Sequence, residues 1–149
     1  MDSSNDEKLV VMKSLDEAFR EVRKLILAEW NRANEHSLGM THGRMLILLA
    51  EIGEQKASVL AEGLFITSGA VTGIADRLIE LGYLTRERSE LDRRAVMLKL
   101  TVEGHAMVKS MMLVREKVML KLFKGMSLDE MIQAQALFRK MSRNMESQQ

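Results

Sequence analysis

Residues 57–100 read ASVLAEGLFITSGAVTGIADRLIELGYLTRERSELDRRAVMLKL, and a change of period inside this stretch decides the fold. Ala57 to Leu64 suits a short helix, and Gly63-Leu64-Phe65-Ile66 makes a tight break after it. Thr67 or Ser68 can cap the next helix, which runs to about Glu80 and closes at Leu81-Gly82-Tyr83 with glycine in the C-terminal turn. Val71, Ile74, Ala75 and Leu78 give that helix one apolar face. Its opening, Thr67-Ser68-Gly69-Ala70-Val71-Thr72-Gly73, is small and polar. Such a surface lets a helix approach base edges closely. Two helices joined this way form a helix-turn-helix unit. Beyond Tyr83 the period falls to two. Val96, Leu98 and Leu100 point one way, so Ala95–Leu100 reads as a strand that pairs with Tyr83–Arg88. Ser89 to Arg94 is then a hairpin tip, too polar for a core, which concentrates Arg88, Arg93 and Arg94. An arginine on such a tip can enter the minor groove, where the potential is most negative in narrow A·T-rich segments.

Outward from this centre the helical period returns. Leu15, Phe19, Val22, Ile26, Trp30 and Ala33 form one stripe, predicting a long helix from Leu9 to about Ala33 that Ser37-Leu38-Gly39 breaks. Thr41 is the expected cap of a second helix carrying Met45, Leu48, Leu49 and Ile52. After the hairpin, Met107, Met111, Val114, Val118 and Leu122 make one stripe and Met131, Ala134, Phe138, Met141 and Met145 another. Ser127 and Glu130 between them have capping-box spacing. The expected fold is mainly α: a winged helix-turn-helix with a small β-hairpin wing and N- and C-terminal dimerisation helices. The terminal stripes are too long for so small a middle to cover, and a second copy in a symmetric homodimer would cover them. The division expected is 1–40 for the N-terminal part of the dimerisation region, 41–100 for the DNA-binding domain and 101–149 for the C-terminal helices.

Composition narrows the function. The chain has 149 residues, of which 46% are hydrophobic and 29% charged, as in an ordinary soluble domain. Proline is absent, which favours uninterrupted helices, and cysteine is absent, which removes thiolate chemistry. A net charge of +1 hides a segregation: residues 1–66 hold 8 Lys and Arg against 11 Asp and Glu, whereas residues 99–149 hold 9 against 5. Such a chain is no nonspecific polycation, so nucleic-acid binding needs a local patch. No apolar run approaches the roughly 20 residues of a membrane span, and the acidic opening has the wrong sign for a signal peptide. A cytoplasmic protein without membrane contact is expected. No nucleophile elbow, phosphate loop or dinucleotide fingerprint occurs, so an enzyme is not expected, nor any cofactor.

The most specific patterns are Ser68-Gly69-Ala70-Val71-Thr72, Asp76-Arg77-Leu78-Ile79-Glu80-Leu81-Gly82-Tyr83-Leu84, Arg86-Glu87-Arg88-Ser89-Glu90-Leu91-Asp92-Arg93-Arg94-Ala95 and Leu98-Lys99-Leu100-Thr101-Val102-Glu103-Gly104. Together they resemble the winged helix-turn-helix of the MarR (multiple antibiotic resistance regulator) family. The flanking helices extend the resemblance over nearly the whole chain. It implies a homodimeric transcriptional regulator, in most members a repressor, on a palindromic double-stranded operator. The recognition helix, with Thr67, Ser68, Gly69, Ala70, Thr72 and Arg77, would lie in the major groove. Arg86, Arg88, Asp92, Arg93 and Arg94 would serve the wing, Asp92 orienting Arg94 through a bidentate pair. The resemblance also implies release by a small apolar or aromatic effector, for which Trp30, Met40 and Met45 are the residues to watch. His36, His42 and His105, with Glu35, can be imagined converging on zinc, but none shows ligand spacing on one helix, and no metal is expected. The alternatives are a helical protein-interaction adaptor without DNA binding, or a zinc-responsive member of the same family.

Overall fold

The structure, a computed structural model, describes residues 2–147. Among them are six helices and three strands: α1 (Ser3–Ala33), α2 (Met40–Ile52), β1 (Gln55–Lys56), α3 (Ala57–Leu64), α4 (Ser68–Glu80), β2 (Leu84–Arg88), β3 (Val96–Leu100), α5 (Val102–Leu122) and α6 (Leu128–Glu146). The chain divides into two compact units at Val118 and Met119, within α5. The expected mainly helical winged fold is present. None of the helices is by itself long and apolar enough to cross a membrane.

The first unit is built around one core. Met45, Leu46, Leu60, Val71, Leu78, Leu84 and Met111 are fully buried and join α2, α3, α4, β2 and α5. Met107, Val114 and Val118 continue the α5 stripe into the same core. Residues 102–118 of α5 therefore complete the core of this unit. Met1, Gln148 and Gln149, at the edges of the two terminal regions, lie outside the described residues.

Two helix ends use the same device with different residues. After α4, Tyr83 N–H donates to the Leu78 carbonyl and Gly82 N–H to that of Ile79, with Gly82 at φ 85°. This is a Schellman closure around a left-handed glycine. After α3, Ile66 N–H donates to Ala61 and Phe65 N–H to Glu62, and here the left-handed residue is Phe65 at φ 56°. A side chain at that φ carries strain that glycine would not.

The two strands of the wing pair as expected, in the register Leu84 with Leu100, Arg86 with Leu98 and Arg88 with Val96. A third strand, β1, adds to its other edge, Gln55 opposite Leu98 and Lys56 opposite Met97. The sequence gives no sign of it, because two residues carry no period. Thr101 joins wing to helix: its hydroxyl donates to the Gly82 carbonyl at 2.6 Å and accepts from Gly104 N–H at 2.9 Å. Gly104 sits so close to this corner that a Cβ there would lie 2.1 Å from the Tyr83 carbonyl oxygen. The Leu-Thr-x-x-Gly pattern is thus the hinge pin between α4, β3 and α5.

Two helix starts differ from expectation. α1 begins at Ser3 rather than Leu9, because Asp2 caps it, accepting from Ser4 N–H at 3.2 Å. Gly39, not Thr41, is the N-cap of α2, and Thr41 is already helical. Of α1 only Trp30 is buried.

In the second unit, α6 starts with the expected capping box. Ser127 Oγ accepts from Glu130 N–H at 3.1 Å, and Glu130 Oε1 accepts from Ser127 N–H at 3.0 Å. The Ser127 backbone N–H, with help from the Ser127 side chain, holds the Glu130 carboxyl below its ordinary range. No described residue of α6 is buried.

Candidate nucleic-acid interface

Helix α4 turns 106° from α3, within the range for a helix-turn-helix pair. Val71, Ala75 and Leu78 hold it on the core. Thr67, Ser68, Gly69, Ala70, Thr72, Gly73 and Arg77 are all exposed. Thr67 is the N-cap, its hydroxyl accepting from Ala70 N–H at 3.1 Å. The Thr72 hydroxyl is not idle, since it donates to the Ser68 carbonyl at 3.1 Å. Thr72 therefore faces outward as a methyl and an acceptor, suited to a thymine methyl or a base amino group. The Ser68 hydroxyl has no intrachain partner among the described residues.

The glycines of α4 are the most informative feature of this face. A Cβ at Gly73 would meet nothing within 4 Å, and one at Gly69 nothing nearer than 3.9 Å. Packing inside this chain gives no reason for either. Each glycine in a helix interior costs about 0.5–1 kcal/mol relative to alanine. Their spacing places them on one side of the helix, where they leave bare backbone for an outside surface to approach.

The charged residues separate into those that build the interface and those that present it. Arg86 pairs with Asp76, tying β2 to the middle of α4. Arg77 lies 3.4 Å from Glu80 at the helix surface. Arg88 donates across the hairpin to the Arg93 carbonyl at 3.4 Å. The guanidinium groups of Arg93 and Arg94 are exposed and have no intrachain partner among the described residues. Asp92 departs from the expected bidentate pair: its Oδ1 accepts the Arg94 backbone N–H at 3.0 Å. The carboxylate shapes the turn that carries Arg94 and leaves the guanidinium to what lies outside. At the tip, Ser89 Oγ accepts from Leu91 N–H and Asp92 N–H, and Leu91 stands fully exposed.

The residues expected near an effector fare differently. Trp30 and Met45 are core residues, 3% and 0% exposed, and Met40 is half-buried. The indole lies on Gly43 so closely that a Cβ there would be 2.5 Å from Trp30 Cζ2, and its N–H donates to the Leu38 carbonyl at 3.1 Å. Asn34 donates to the same carbonyl. The imagined zinc set does not assemble: among the described residues no three His, Asp or Glu side chains converge for a metal. His36 and His105 are exposed. His42 is half-buried, and burial, with the nearby Arg77 charge, lowers its pKa from the usual value.

Comparison with known proteins agrees with this geometry. A model of the MarR family matches residues 36–95. The HTH-type transcriptional regulator YkoM of Bacillus subtilis is 30% identical over 139 residues, covering 93% of this chain and 90% of the relative. The chain belongs to the MarR family. The transcriptional repressor MdtR of Bacillus subtilis is 27% identical over 144 residues, 91% of this chain and 93% of that one. These MarR-type relatives are transcriptional regulators rather than enzymes. Among solved structures, a mutant MarR from Escherichia coli complexed with operator DNA matches with a TM-score of 0.79 at 23% identity, over 86% of this chain and 93% of that one. Bordetella bronchiseptica BpsR matches with a TM-score of 0.79 at 24% identity, over 85% and 91%. At these identities the structures establish the MarR fold.

Proposed function

We propose that the chain acts as a homodimer on a palindromic duplex operator, α4 in the major groove and the wing in the minor groove, as a repressor that a small apolar or aromatic molecule releases. The observation that carries this reading is the exposed face of α4, where Gly69 and Gly73 are bare for no internal reason. Beside it, Arg86 and Asp76 fix the wing to the helix, and Arg93 and Arg94 face outward. The described residues of 1–40 and 101–149 are assigned to the dimerisation region around a DNA-binding domain at 41–100. The long apolar stripes of α1 and α6 support that assignment. An obligate interface of this kind buries more than roughly 2,000 Å². Release by a small molecule is supported by BpsR, whose DNA binding is described as regulated by 6-hydroxynicotinic acid.

Gly73→Ala tests the reading through opposite signs. Alanine is the better helix former, so the variant should be more stable by about 0.5–1 kcal/mol. On a duplex selected by the protein from a random-sequence pool, it should nevertheless bind more weakly, by about the 1–3 kcal/mol of a lost base contact. A more stable variant with unchanged affinity would remove α4 from the groove.

A further inference from the structure

The return side of the wing faces the start of α3 across an open concavity of about 390 Å³, with Asp92 and Arg94 to Val96 on one wall and Lys56 to Ser58 on the other. The backbone of this place is fixed from both sides. Lys56 pairs with Met97 in the sheet and is also the residue before α3, a helix that starts without a side-chain cap. Lys56 and Ser58 are exposed, and neither the Lys56 ammonium nor the Arg94 guanidinium has an intrachain partner among the described residues. The acid on the wall, Asp92, is turned to its own backbone through the Arg94 N–H. The concavity thus holds two unpaired cations against one occupied carboxylate. It is built for an oxyanion.

We propose that this concavity seats one phosphate of the DNA backbone, beside the minor groove that the wing enters, with Lys56 and Arg94 as its cations and Ser58 as a hydroxyl donor. The proposal rests on the DNA-binding reading above and adds α3's entry to the contact surface. The shape selects a polymer phosphate over a free anion. A small-molecule site encloses about 70–90% of its ligand, whereas this dish is open to solvent and is covered only when a duplex lies across it. Lys56 acts there as a point charge on phosphate, which fixes register without reading sequence. Neither Lys56 nor Ser58 stands out in the sequence, because one precedes and the other begins an ordinary short helix.

The test is binding of the full chain to a duplex selected from a random pool, and to an unrelated duplex, across a salt series. Lys56→Gln should weaken both duplexes alike and flatten the slope of log affinity against log salt by about 1.8 for a dimer, at roughly 0.9 per phosphate. Replacing single phosphates by neutral methylphosphonate should reveal one position per half-site where the wild type loses affinity and Lys56→Gln loses less, Arg94 alone then facing that phosphate. Ser58→Ala should weaken binding at that same position. Unchanged affinity and slope in Lys56→Gln, with Arg94→Ala still impaired, would overturn the phosphate seat and leave the DNA-binding reading intact. No binding of any duplex by the wild type would instead defeat that underlying reading. Inorganic phosphate provides the arm for a free anion. Against chloride of equal ionic strength it should not raise the melting temperature, and a rise that Lys56→Gln abolishes would make this a small-anion site and overturn the proposal.

Discussion

The winged core and the terminal helices carry equally regular apolar stripes, yet the described residues cover them to different degrees. In the core, Val71 and Leu78 on α4 and Met111 on α5 are wholly buried. On α1, Leu15 and Val22 remain 49% and 43% exposed, and α6 has no buried residue among those described. Period shows that a face is meant to be covered and is silent about what covers it. The core answers from within the chain. The terminal helices await a partner, and a second copy is the occupant proposed here.

Substitutions that separate the two kinds of stripe sharpen this contrast. Leu78→Ala should destabilise the protein by about 2–5 kcal/mol, because a fully buried leucine leaves a cavity that the surroundings fill poorly. Denaturant titration would show the loss at any protein concentration. Leu15→Ser combined with Met131→Ser should instead weaken association, by about 1 kcal/mol or more for each contact that matters. Sedimentation should move toward the 16.9 kDa monomer while helix content stays. Loss of helix at high protein concentration would mean that those stripes belong to the internal core.

Smaller effects probe the corners of the core. Phe65→Gly should raise stability by about 1 kcal/mol, since it relieves a left-handed aromatic that is 91% exposed and buries almost nothing. A fall in melting temperature would show that the ring contributes packing. His42 gives the smallest effect. Its folded pKa is lowered, so the unfolded chain binds its proton first, and stability should decline as pH falls below the ordinary histidine value of about 6.5. Above that value this group contributes no slope. His42→Gln should flatten the decline below about pH 6.5, measured by thermal unfolding.

Much of the winged core is legible in the sequence because its signals are local. The limits of α3, a cap at Thr67 or Ser68, the Gly82 closure, the wing hairpin and the Ser127–Glu130 box each follow from neighbours within a few residues. What escapes depends on distance in the chain. β1 has two residues and is defined only by Leu98 and Met97, more than forty positions away. The Arg86–Asp76 pair joins residues ten apart on different elements, so Arg86 reads as an open cation until the wing is folded. Asp92 and Arg94 read as side-chain partners by their spacing, whereas the turn brings the carboxylate onto the backbone N–H. Trp30 lies on a stripe whose Leu15 and Val22 are exposed, and Gly43 on another helix shows why it is core. The exposed α4 face is legible as small and polar, but that a Cβ at Gly73 would meet nothing within 4 Å is a fact of three dimensions.

The central claim is that the uncovered terminal stripes pair two copies so that two α4 helices meet one palindrome in fixed register. It is tested most directly by measuring affinity for the selected duplex before and after inserting about 5 bp, half a helical turn, between its half-sites. The account predicts that binding falls to the level of unrelated duplex, because the second reading head is carried to the wrong face of the DNA. Undiminished affinity for the lengthened site would contradict it.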